Sequence, residues 1–508
     1  MFYGTYRDLY RNYRKVETKL DNILLYVDFL YNRYEAAELN KKPVIILKDR
    51  SLLLIYKVTG LDYEGLSEEE KEQLSYKIRI AIEKLDKGFT VESYLIREKV
   101  DCIQVKKNPN APDIINYVQQ QKQVFWQEIA DRTYKTSLYL TVKYTPKGIP
   151  KKPFLYYLSD KKTFHYHMAK TMEDVEELEK GAMALISSLK DFGVDELNRE
   201  EVHKFLYRLI NRKEPPRYNP DESLNAQLAD SYMEFGRDYI RINEKWHMKA
   251  LTIKHMPESS ISMYFSRLYQ LKFPLVVKQS YQYMNYPKVD KKMKFDQNIA
   301  RSLSAMDKNS EIFVDEVSEF QNMVQGERQT PLYFTIYLYI FAESLDEMKE
   351  NQVHIENIMR EIGFQVLQEK GNSFRACTFF QYPGHDKFTD RKKIVLSTNA
   401  GDFINMFSLY PGDRNPVDYF LDRNGGVFAY DPFTERENAH HMLITGPTGS
   451  GKSFFVNKLI VSSLVHDPTI FVIDLSRSFT EIFQLLQDEM PDQTSILTLT
   501  QDQIDFQF

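Results

Sequence analysis

Residues 440–453 read HHMLITGPTGSGKS and contain the spacing Gly446-x-x-x-x-Gly451-Lys452-Ser453. The apolar segment Met442–Thr445 predicts a buried strand, and the apolar segment Phe454–Val465 predicts a helix. A glycine-rich turn between a strand and a helix is the arrangement of a phosphate-binding loop. This stretch therefore predicts the start of a RecA-like P-loop NTPase fold in the last part of the sequence.

Each residue type in the loop has a chemical reason. Gly449 and Gly451 have no side chain, so the backbone can approach a phosphate closely. The amides from about Thr448 to Ser453 can point at phosphate oxygens, and the following helix adds its positive N-terminal end. Lys452 is the predicted catalytic residue because its charge would bridge the β- and γ-phosphates, and Ser453 is the predicted Mg²⁺ ligand.

The loop therefore predicts a nucleoside triphosphate, ATP, with Mg²⁺ as the bound cofactors. The predicted site residues are Gly446, Pro447, Thr448, Gly449, Ser450, Gly451, Lys452, Ser453 and Phe454.

Length and composition indicate the general class of protein. A chain of 508 residues predicts about three domains, and 43% apolar with 27% charged residues is typical of a soluble globular protein. Cys102 and Cys377 lie far apart in sequence, so no disulfide framework is indicated and a reducing compartment is expected. No signal-peptide core or transmembrane segment is visible. The net charge of −5 does not indicate nucleic acid or acidic lipid as a partner.

The predicted fold class is α/β, with an α+β N-terminal region before the P-loop domain. Residues 1–150 predict an α+β subdomain and residues 151–325 a mixed, helix-rich subdomain. Residues 326–430 predict an α/β subdomain and hinge, and residues 431–508 the first, incomplete part of the ATPase domain.

Hydrophobic periodicity and turn residues predict the individual elements. The predicted strands are Val44–Leu47, Leu52–Val58, Thr90–Ile96, Ser137–Tyr144, Tyr239–Met256, Leu275–Tyr283 and Leu332–Ala342. Helices are predicted from the capping box at Ser67 to about Leu85, over Ile114–Arg132, from Thr171 through Leu189, over Glu200–Asn211, between the strands ending at Met256 and starting at Leu275, and from Ser344 to Gly363. A linker is predicted at Thr145–Pro153, and hinge turns at Tyr410–Pro416 and Asp422–Gly426.

Three other patterns are weak. His165 with His167, and His440 with His441, lack further ligands nearby, so no metal site is predicted there. Residues 315, 316 and 319 are acidic and predict a solvated helix face. Ile470–Asp474 predicts a strand ending in an acid, and one helix separates it from Lys452. We expect Asp474 to end the second strand of the domain, with the magnesium-binding acid elsewhere.

Three further stretches carry a resemblance to a known family. They are Ile46–Leu53 running to Asp62, Gly426–Phe433 leading into the loop, and Phe471–Asp474 followed by Arg477-Ser478-Phe479. Together with a long N-terminal region before a late P-loop, they resemble the conjugative-transfer and type IV secretion ATPases of the CagE/TrbE/VirB group. The resemblance is diffuse between residues 150 and 330.

The resemblance implies an ATPase that energises type IV secretion, conjugative DNA transfer and pilus assembly. It implies a cytoplasmic, peripheral location on the inner face of the cell membrane, self-association into hexamers or dimers, and partners among channel and inner-membrane components. Lys452 and Ser453 take the nucleotide-site positions of the family. Family members continue to a Walker B acid pair, a catalytic glutamate and an arginine finger, which cannot be assigned here. We therefore expect a fragment, ending at Ile504–Phe508, that hydrolyses ATP negligibly.

Two alternatives stay open. A DNA translocase or coupling-type ATPase of the same superfamily would bind DNA in a salt-sensitive way. Residues 440–508 hold three Lys/Arg and eight Asp/Glu, so DNA is a possible partner but no DNA surface is evident there. The second alternative is a non-catalytic docking module, in which the first 430 residues bind a secretion channel.

Overall fold

The computed structural model describes residues 24–30, 42–146 and 161–498. The exceptions within those ranges are residues 64, 101, 102, 109, 110, 258, 304–307, 390, 410, 411, 414, 423, 424, 435–439 and 476. The chain divides into two compact units. Unit 1 comprises residues 1–98 and 136–409, and unit 2 comprises residues 99–135 and 410–508. The four subdomain boundaries predicted from the sequence stay a prediction.

Strands in unit 1 form one large antiparallel sheet and one small parallel pair. They are β1 (Tyr26–Phe29), β2 (Ile45–Leu47), β3 (Leu52–Val58), β4 (Leu61–Asp62), β5 (Phe89–Lys99), β6 (Tyr134–Tyr144), β7 (Val194–Glu196), β8 (Met233–Phe235), β9 (Ile240–Ile242), β10 (Trp246–His255), β11 (Leu275–Tyr283), β12 (Pro331–Ala342), β13 (Gln365–Gln368), β14 (Lys393–Leu396) and β15 (Phe407–Ser408).

The order of the large sheet is β1-β2-β3-β6-β5-β11-β12-β10-β9-β8. Strand β7 pairs with β3, β13 with β10 and β14 with β12, while β4 and β15 form the parallel pair. The longest pairing joins β11 to β12, with Leu275 opposite Ile340 and Tyr283 opposite Leu332. The central strands are therefore held by neighbours on both edges.

The helices are α1 (Glu68–Glu83), α2 (Asp113–Ile129), α3 (Lys161–Ser188), α4 (Arg199–Asn211), α5 (Leu224–Leu228), α6 (Tyr286–Leu303), α7 (Lys308–Gln325), α8 (Leu345–Glu361), α9 (Gly371–Phe380), α10 (Ser397–Phe403), α11 (Lys452–Ser463) and α12 (Thr480–Glu489). Short 3₁₀ turns lie at Ala130–Arg132, Lys190–Phe192, Ser266–Gln270, Asp386–Phe388 and Leu464–His466. Unit 2 also contains the antiparallel hairpin of β16 (Asp418–Leu421) and β17 (Val427–Tyr430).

The large sheet is buried on both faces because its strands alternate between two cores. In β12, Leu332, Phe334, Ile336, Leu338 and Ile340 belong to the first core cluster. Tyr337, Tyr339 and Phe341 of the same strand belong to the second. Residues of α1, α3, α8 and α10 complete the first core, and residues of α4, α5 and α9 complete the second. A period-two strand with both faces covered explains why Tyr337 and Tyr339 of β12 are buried.

A buried ion pair lies within the second face of the sheet. Lys278 and Glu92 are fully buried, with Nζ 2.7 Å from Oε1. Lys278 also donates to the carbonyls of Phe380 and Tyr382, at 2.7 and 2.9 Å. Glu92 accepts the backbone N–H of Gly384 at 2.9 Å. Burial lowers the pKa of Lys278, while Glu92 opposes that shift. The pair thereby fixes the segment after α9 against the sheet.

Most predicted elements of unit 1 are confirmed. The capping box at Ser67 and Glu70 starts α1, and Ser344 caps α8. Strand β11 matches the predicted Leu275–Tyr283. Several other predicted elements agree with the structure within a few residues. They are the remaining predicted strands up to Tyr144, the helices Ile114–Arg132 and Glu200–Asn211, and the strand Leu332–Ala342. The stripe Val175, Leu178, Ala182, Leu185 and Leu189 is buried as predicted. The mixed α/β class is also confirmed.

Three predictions in unit 1 are wrong. Helix α3 begins at Lys161 rather than at Thr171, because a threonine within a helical stretch does not force a start. The predicted strand Tyr239–Met256 is two strands, since Asn243 and Glu244 both have positive φ and turn the chain between β9 and β10. Between Met256 and Leu275 the residues described form only the 3₁₀ turn Ser266–Gln270 instead of the predicted helix.

Some predictions fall outside the described residues. They are Cys102, most of the Thr145–Pro153 linker, parts of the two hinge turns, and the segment Ile504–Phe508. The side chains of His165 and His167 are also outside this description, although both residues lie in α3. Among the described helices, none is long and apolar enough to cross a membrane.

Candidate nucleotide-binding site

The predicted loop lies in unit 2 and leads directly into helix α11. Gly449 and Gly451 have φ values of 81° and 88°. A Cβ atom added at either glycine would meet no atom within 4 Å. Glycine is therefore required at these positions by backbone conformation, not by lack of space. The loop backbone has open space in front of it, which suits the approach of a ligand.

The side chain of Lys452 folds back over the loop. Its Nζ donates hydrogen bonds to the carbonyl oxygens of Gly446 and Pro447, each at 2.9 Å. Pro447 also accepts the N–H of Ser450 at 3.2 Å. These bonds close the loop around the ammonium group, so a phosphate that took the charge of Lys452 would replace them.

The N-terminus of α11 offers unpaired donors. Gly451 is the N-cap, and no side chain caps the helix. The first amides of a helix have no partner within the helix, and the helix dipole favours an anion there. The first turn carries no acidic residue, and Ser453 and Phe454 are exposed. The loop and helix together can therefore hold a phosphate group, with the Ser453 hydroxyl free to face a cation beside it.

The helix prediction after the loop is confirmed, because α11 and the 3₁₀ turn Leu464–His466 cover Phe454–Val465. The predicted strand Met442–Thr445 is wrong. These residues form no strand pairing, and Leu443 is 88% exposed. A strand needs a neighbour that supplies ladder hydrogen bonds, and the described part of unit 2 places none beside this segment.

The predicted strand Ile470–Asp474 is wrong for the same reason. Phe471 and Ile473 are 92% and 93% exposed, and the segment pairs with no described strand. Asp474 accepts the backbone N–H of Phe479 at 2.9 Å, immediately before α12. The carboxylate therefore satisfies a donor at the start of a helix instead of ending a strand. Its exclusion from the magnesium site stays a prediction.

His440, next to the loop, has an aromatic neighbour. The ring of His440 lies 6.1 Å from the ring of Phe433. Within the described ranges, no group of three His, Cys, Asp or Glu side chains could hold a metal ion. The Ser453 hydroxyl is an oxygen donor of the kind that Mg²⁺ accepts.

The second half of α11 is held by a buried acid that the sequence did not reveal. Asp418 of β16 accepts from the Ser462 hydroxyl at 2.7 Å. Lys122 of α2 and Lys458 of α11 lie 3.1 and 3.4 Å from the same carboxylate oxygen. Burial lowers the pKa of Lys122, while Asp418 opposes that shift. No motif links Lys122 to the loop region, because the two lie more than three hundred residues apart.

A small apolar core completes this arrangement within unit 2. Ile115 of α2 packs with Val465 and with Leu486 of α12. The backbone N–H of Ile114 donates to Glu489 at 3.1 Å, and Asn108 donates to the Val465 carbonyl at 3.1 Å. Segment 99–135 thus supports the helix that follows the loop, although it lies far from it in sequence.

Three models of known protein families match parts of the chain. Residues 43–151 match the model of the type IV secretion system ATPase VirB4/TrbE, N-terminal domain. Residues 187–391 match the CagE, TrbE, VirB family, component of type IV transporter system. Residues 413–488, which include the loop and α11, match the FtsK/SpoIIIE family. A search of curated proteins found no match.

The first two matches describe the same group and together cover more than half of the 508 residues. The predicted resemblance is therefore confirmed. The chain belongs to the CagE, TrbE, VirB family of type IV transporter components, in the group of the VirB4/TrbE type IV secretion ATPases.

Proposed function

We propose that the chain is an ATPase subunit of a type IV secretion system that binds ATP and Mg²⁺ at Gly446–Ser453. The observation that carries the proposal is the loop itself. Two glycines with positive φ precede an uncapped helix N-terminus, and the lysine ammonium lies inside the loop. The FtsK/SpoIIIE match over residues 413–488 supports the same assignment.

The residues take distinct roles in this proposal. The backbone amides from Thr448 to Ser453 hold the β-phosphate oxygens. Lys452 leaves the carbonyls of Gly446 and Pro447 and places its charge between the β- and γ-phosphates, where it stabilises the charge that develops during phosphoryl transfer. The Ser453 hydroxyl is the protein ligand of Mg²⁺, which when bound neutralises phosphate charge.

Pro447, Ser450 and Phe454 shape the loop rather than carry charge. The Pro447 carbonyl holds Lys452 before the nucleotide enters. Ser450 lies beside Gly446, where an added Cβ would come within 2.7 Å of the Ser450 hydroxyl oxygen. Phe454 is exposed on the first turn of α11 and can cover a bound nucleotide from the solvent.

We propose that ATP hydrolysis drives the movement of secretion substrates or the assembly of a pilus, as in conjugative transfer. We also propose self-association into dimers or hexamers, contacts with channel and inner-membrane components, and a peripheral location at the cytoplasmic face of the membrane. Family membership supports these proposals.

A DNA translocase is the second candidate, and the FtsK/SpoIIIE match of residues 413–488 favours it. The two candidates differ in their dependence on DNA. A translocase should bind duplex DNA with an affinity that falls steeply with salt. A secretion ATPase that moves proteins should show no such binding.

Thermal unfolding tests the nucleotide site. Because a ligand that binds only the folded state stabilises it, Mg²⁺ with a non-hydrolysable ATP analogue should raise the melting temperature of the full chain. Lys452→Ala should reduce this rise, because it weakens binding of the analogue. Lys349→Ala, at an exposed lysine of α8, should leave it unchanged. An equal rise in the Lys452→Ala protein would disprove the site.

A further inference from the structure

Helices α6 and α7 pack together through one side of α6. Gln297 is buried and donates to the Val314 carbonyl at 3.1 Å and to the Ser318 hydroxyl at 2.8 Å. Gln321 of α7 donates to Asp290 at 3.0 Å. These contacts fix which side of α6 faces its neighbour and which side faces solvent.

The solvent side of α6 carries three lysines and an aromatic ring. Lys291, Lys292 and Phe295 follow Lys288 by three, four and seven residues, so all four share one face of the helix. All four are exposed, and Phe295 is 64% exposed. We call Lys288, Lys291, Lys292 and Phe295 the basic face.

The lysines of the basic face do not take part in the ion pair formed beside it. Lys294, beside this face, pairs with Asp290 at 2.6 Å. Lys288, Lys291 and Lys292 form no ion pair with any residue that the structure describes. Three exposed ammonium groups therefore surround an exposed phenylalanine.

We propose that the basic face binds the surface of a bilayer that contains anionic lipids. Lysines attract anionic headgroups, and an aromatic ring on the same helix face can enter the boundary between headgroups and acyl chains. The net charge of −5 does not oppose this contact, because charges more than about 8 Å away are screened at physiological salt. The proposal names the surface responsible for the peripheral membrane location and rests on that part of the proposed function.

A lipid surface fits these residues better than a nucleic acid. Binding of single strands usually uses a groove with successive stacked aromatics. The basic face is instead one side of a single helix with one ring.

Vesicle flotation with the full chain tests the proposal. The wild-type protein should float with vesicles of equal parts phosphatidylglycerol and phosphatidylcholine, but not with phosphatidylcholine alone. The triple variant Lys288→Gln, Lys291→Gln, Lys292→Gln should bind the anionic vesicles about a hundredfold more weakly. Phe295→Ser should weaken binding about tenfold or more.

The matched control removes three exposed lysines elsewhere in unit 1: Lys254→Gln, Lys272→Gln, Lys370→Gln. It has the same net charge as the basic-face variant and should bind vesicles as the wild type does. Equal losses in the two triple variants, or no loss in the basic-face variant, would overturn the proposal. So would a basic-face variant that loses binding to duplex DNA while vesicle binding is unchanged.

The outcomes separate this surface from the rest of the proposed function. If the wild-type protein floats with anionic vesicles and the basic-face variant floats equally well, the membrane location stands. Only the assignment of the basic face as the binding surface is then overturned. Absence of wild-type flotation would overturn both the surface and the location. Thermal stabilisation by the ATP analogue should be the same in all these proteins, because α6 lies in unit 1 and the loop in unit 2.

Discussion

The ammonium group of Lys452 lies 2.9 Å from the carbonyl oxygen of Gly446, so the loop binds its own lysine. The same group also reaches the Pro447 carbonyl at 2.9 Å. A phosphate must compete with these two bonds for the charge. The nucleotide offers the lysine a negatively charged acceptor in place of neutral ones, and the Coulomb attraction between opposite charges favours that acceptor. Exchange of partners by Lys452 is therefore the step on which binding depends.

Gly451→Ala should strain the loop without any steric clash. The φ of 88° is unfavourable for a residue with a Cβ and costs about 1–2 kcal/mol, although no atom lies within 4 Å of the added methyl group. Nucleotide affinity should fall about tenfold. Gly65→Ala is the matched control, since it also has open space around it and lacks positive φ. Equal affinity in the two variants would show that the loop geometry does not matter.

Asp418→Ala should destabilise unit 2. The substitution leaves Lys122 and Lys458 without their shared carboxylate, which should cost about 2–3 kcal/mol after allowance for partial solvent exposure. Urea denaturation followed by the fluorescence of Trp126 reports on this unit, because that ring packs against Tyr419. A background substitution Trp246→Phe removes the other tryptophan.

Asp346→Ala provides the comparison for the Asp418 variant. Asp346 and Lys349 form an exposed ion pair on α8, and such pairs contribute little to stability because water screens them. A loss in the Asp418→Ala protein no larger than in this control would mean that the carboxylate does not hold α11.

The stability of unit 1 should fall as the pH is lowered below about 6.5. Burial lowers the pKa of His385 from 6.5 to about 3, while its bond to Pro383 opposes this shift. Below pH 6.5 the unfolded chain takes up a proton that the folded chain does not. His385 should therefore lower the free energy of unfolding by up to about 1.4 kcal/mol per pH unit, down to about pH 3.

The variant His385→Gln isolates this effect. It removes the titrating group, so its stability should depend less steeply on pH between 6 and 4 than that of the wild type, by roughly 1 kcal/mol per unit. His255→Gln, at an exposed histidine, should keep the wild-type slope. Identical slopes in all three proteins would contradict the assignment to His385.

Local signals in the sequence are sufficient to predict many helices and strands of unit 1. The capping box at Ser67 and Glu70 and the alternation along Leu332–Ala342 act within one element, so their patterns survive in the fold. The turn at Asn243 and Glu244 was missed because neither residue is a glycine, although both take positive φ. Backbone strain of this kind leaves no periodic signal.

Around the loop, the sequence predicted the helix start better than the neighbouring strands. Glycine spacing determines the conformation at Gly449 and Gly451, and α11 begins where the motif requires. The apolar segments Met442–Thr445 and Ile470–Asp474 were wrong as strands because strand formation depends on a hydrogen-bonded neighbour, not on local propensity. The contact of Lys122 with Asp418 depends on tertiary packing and has no sequence pattern.

Titration calorimetry of Mg²⁺–ATP analogue binding tests the central claim most directly, with the full chain, the Lys452→Ala variant and the Lys349→Ala control. We expect one binding event in the wild type and in the control. Loss of a hydrogen bond to a charged group costs about 1.5–3 kcal/mol, so Lys452→Ala should bind about 10–100 times more weakly. Unchanged affinity in Lys452→Ala, or no binding by the wild type, would contradict the assignment of Gly446–Ser453 as the nucleotide site.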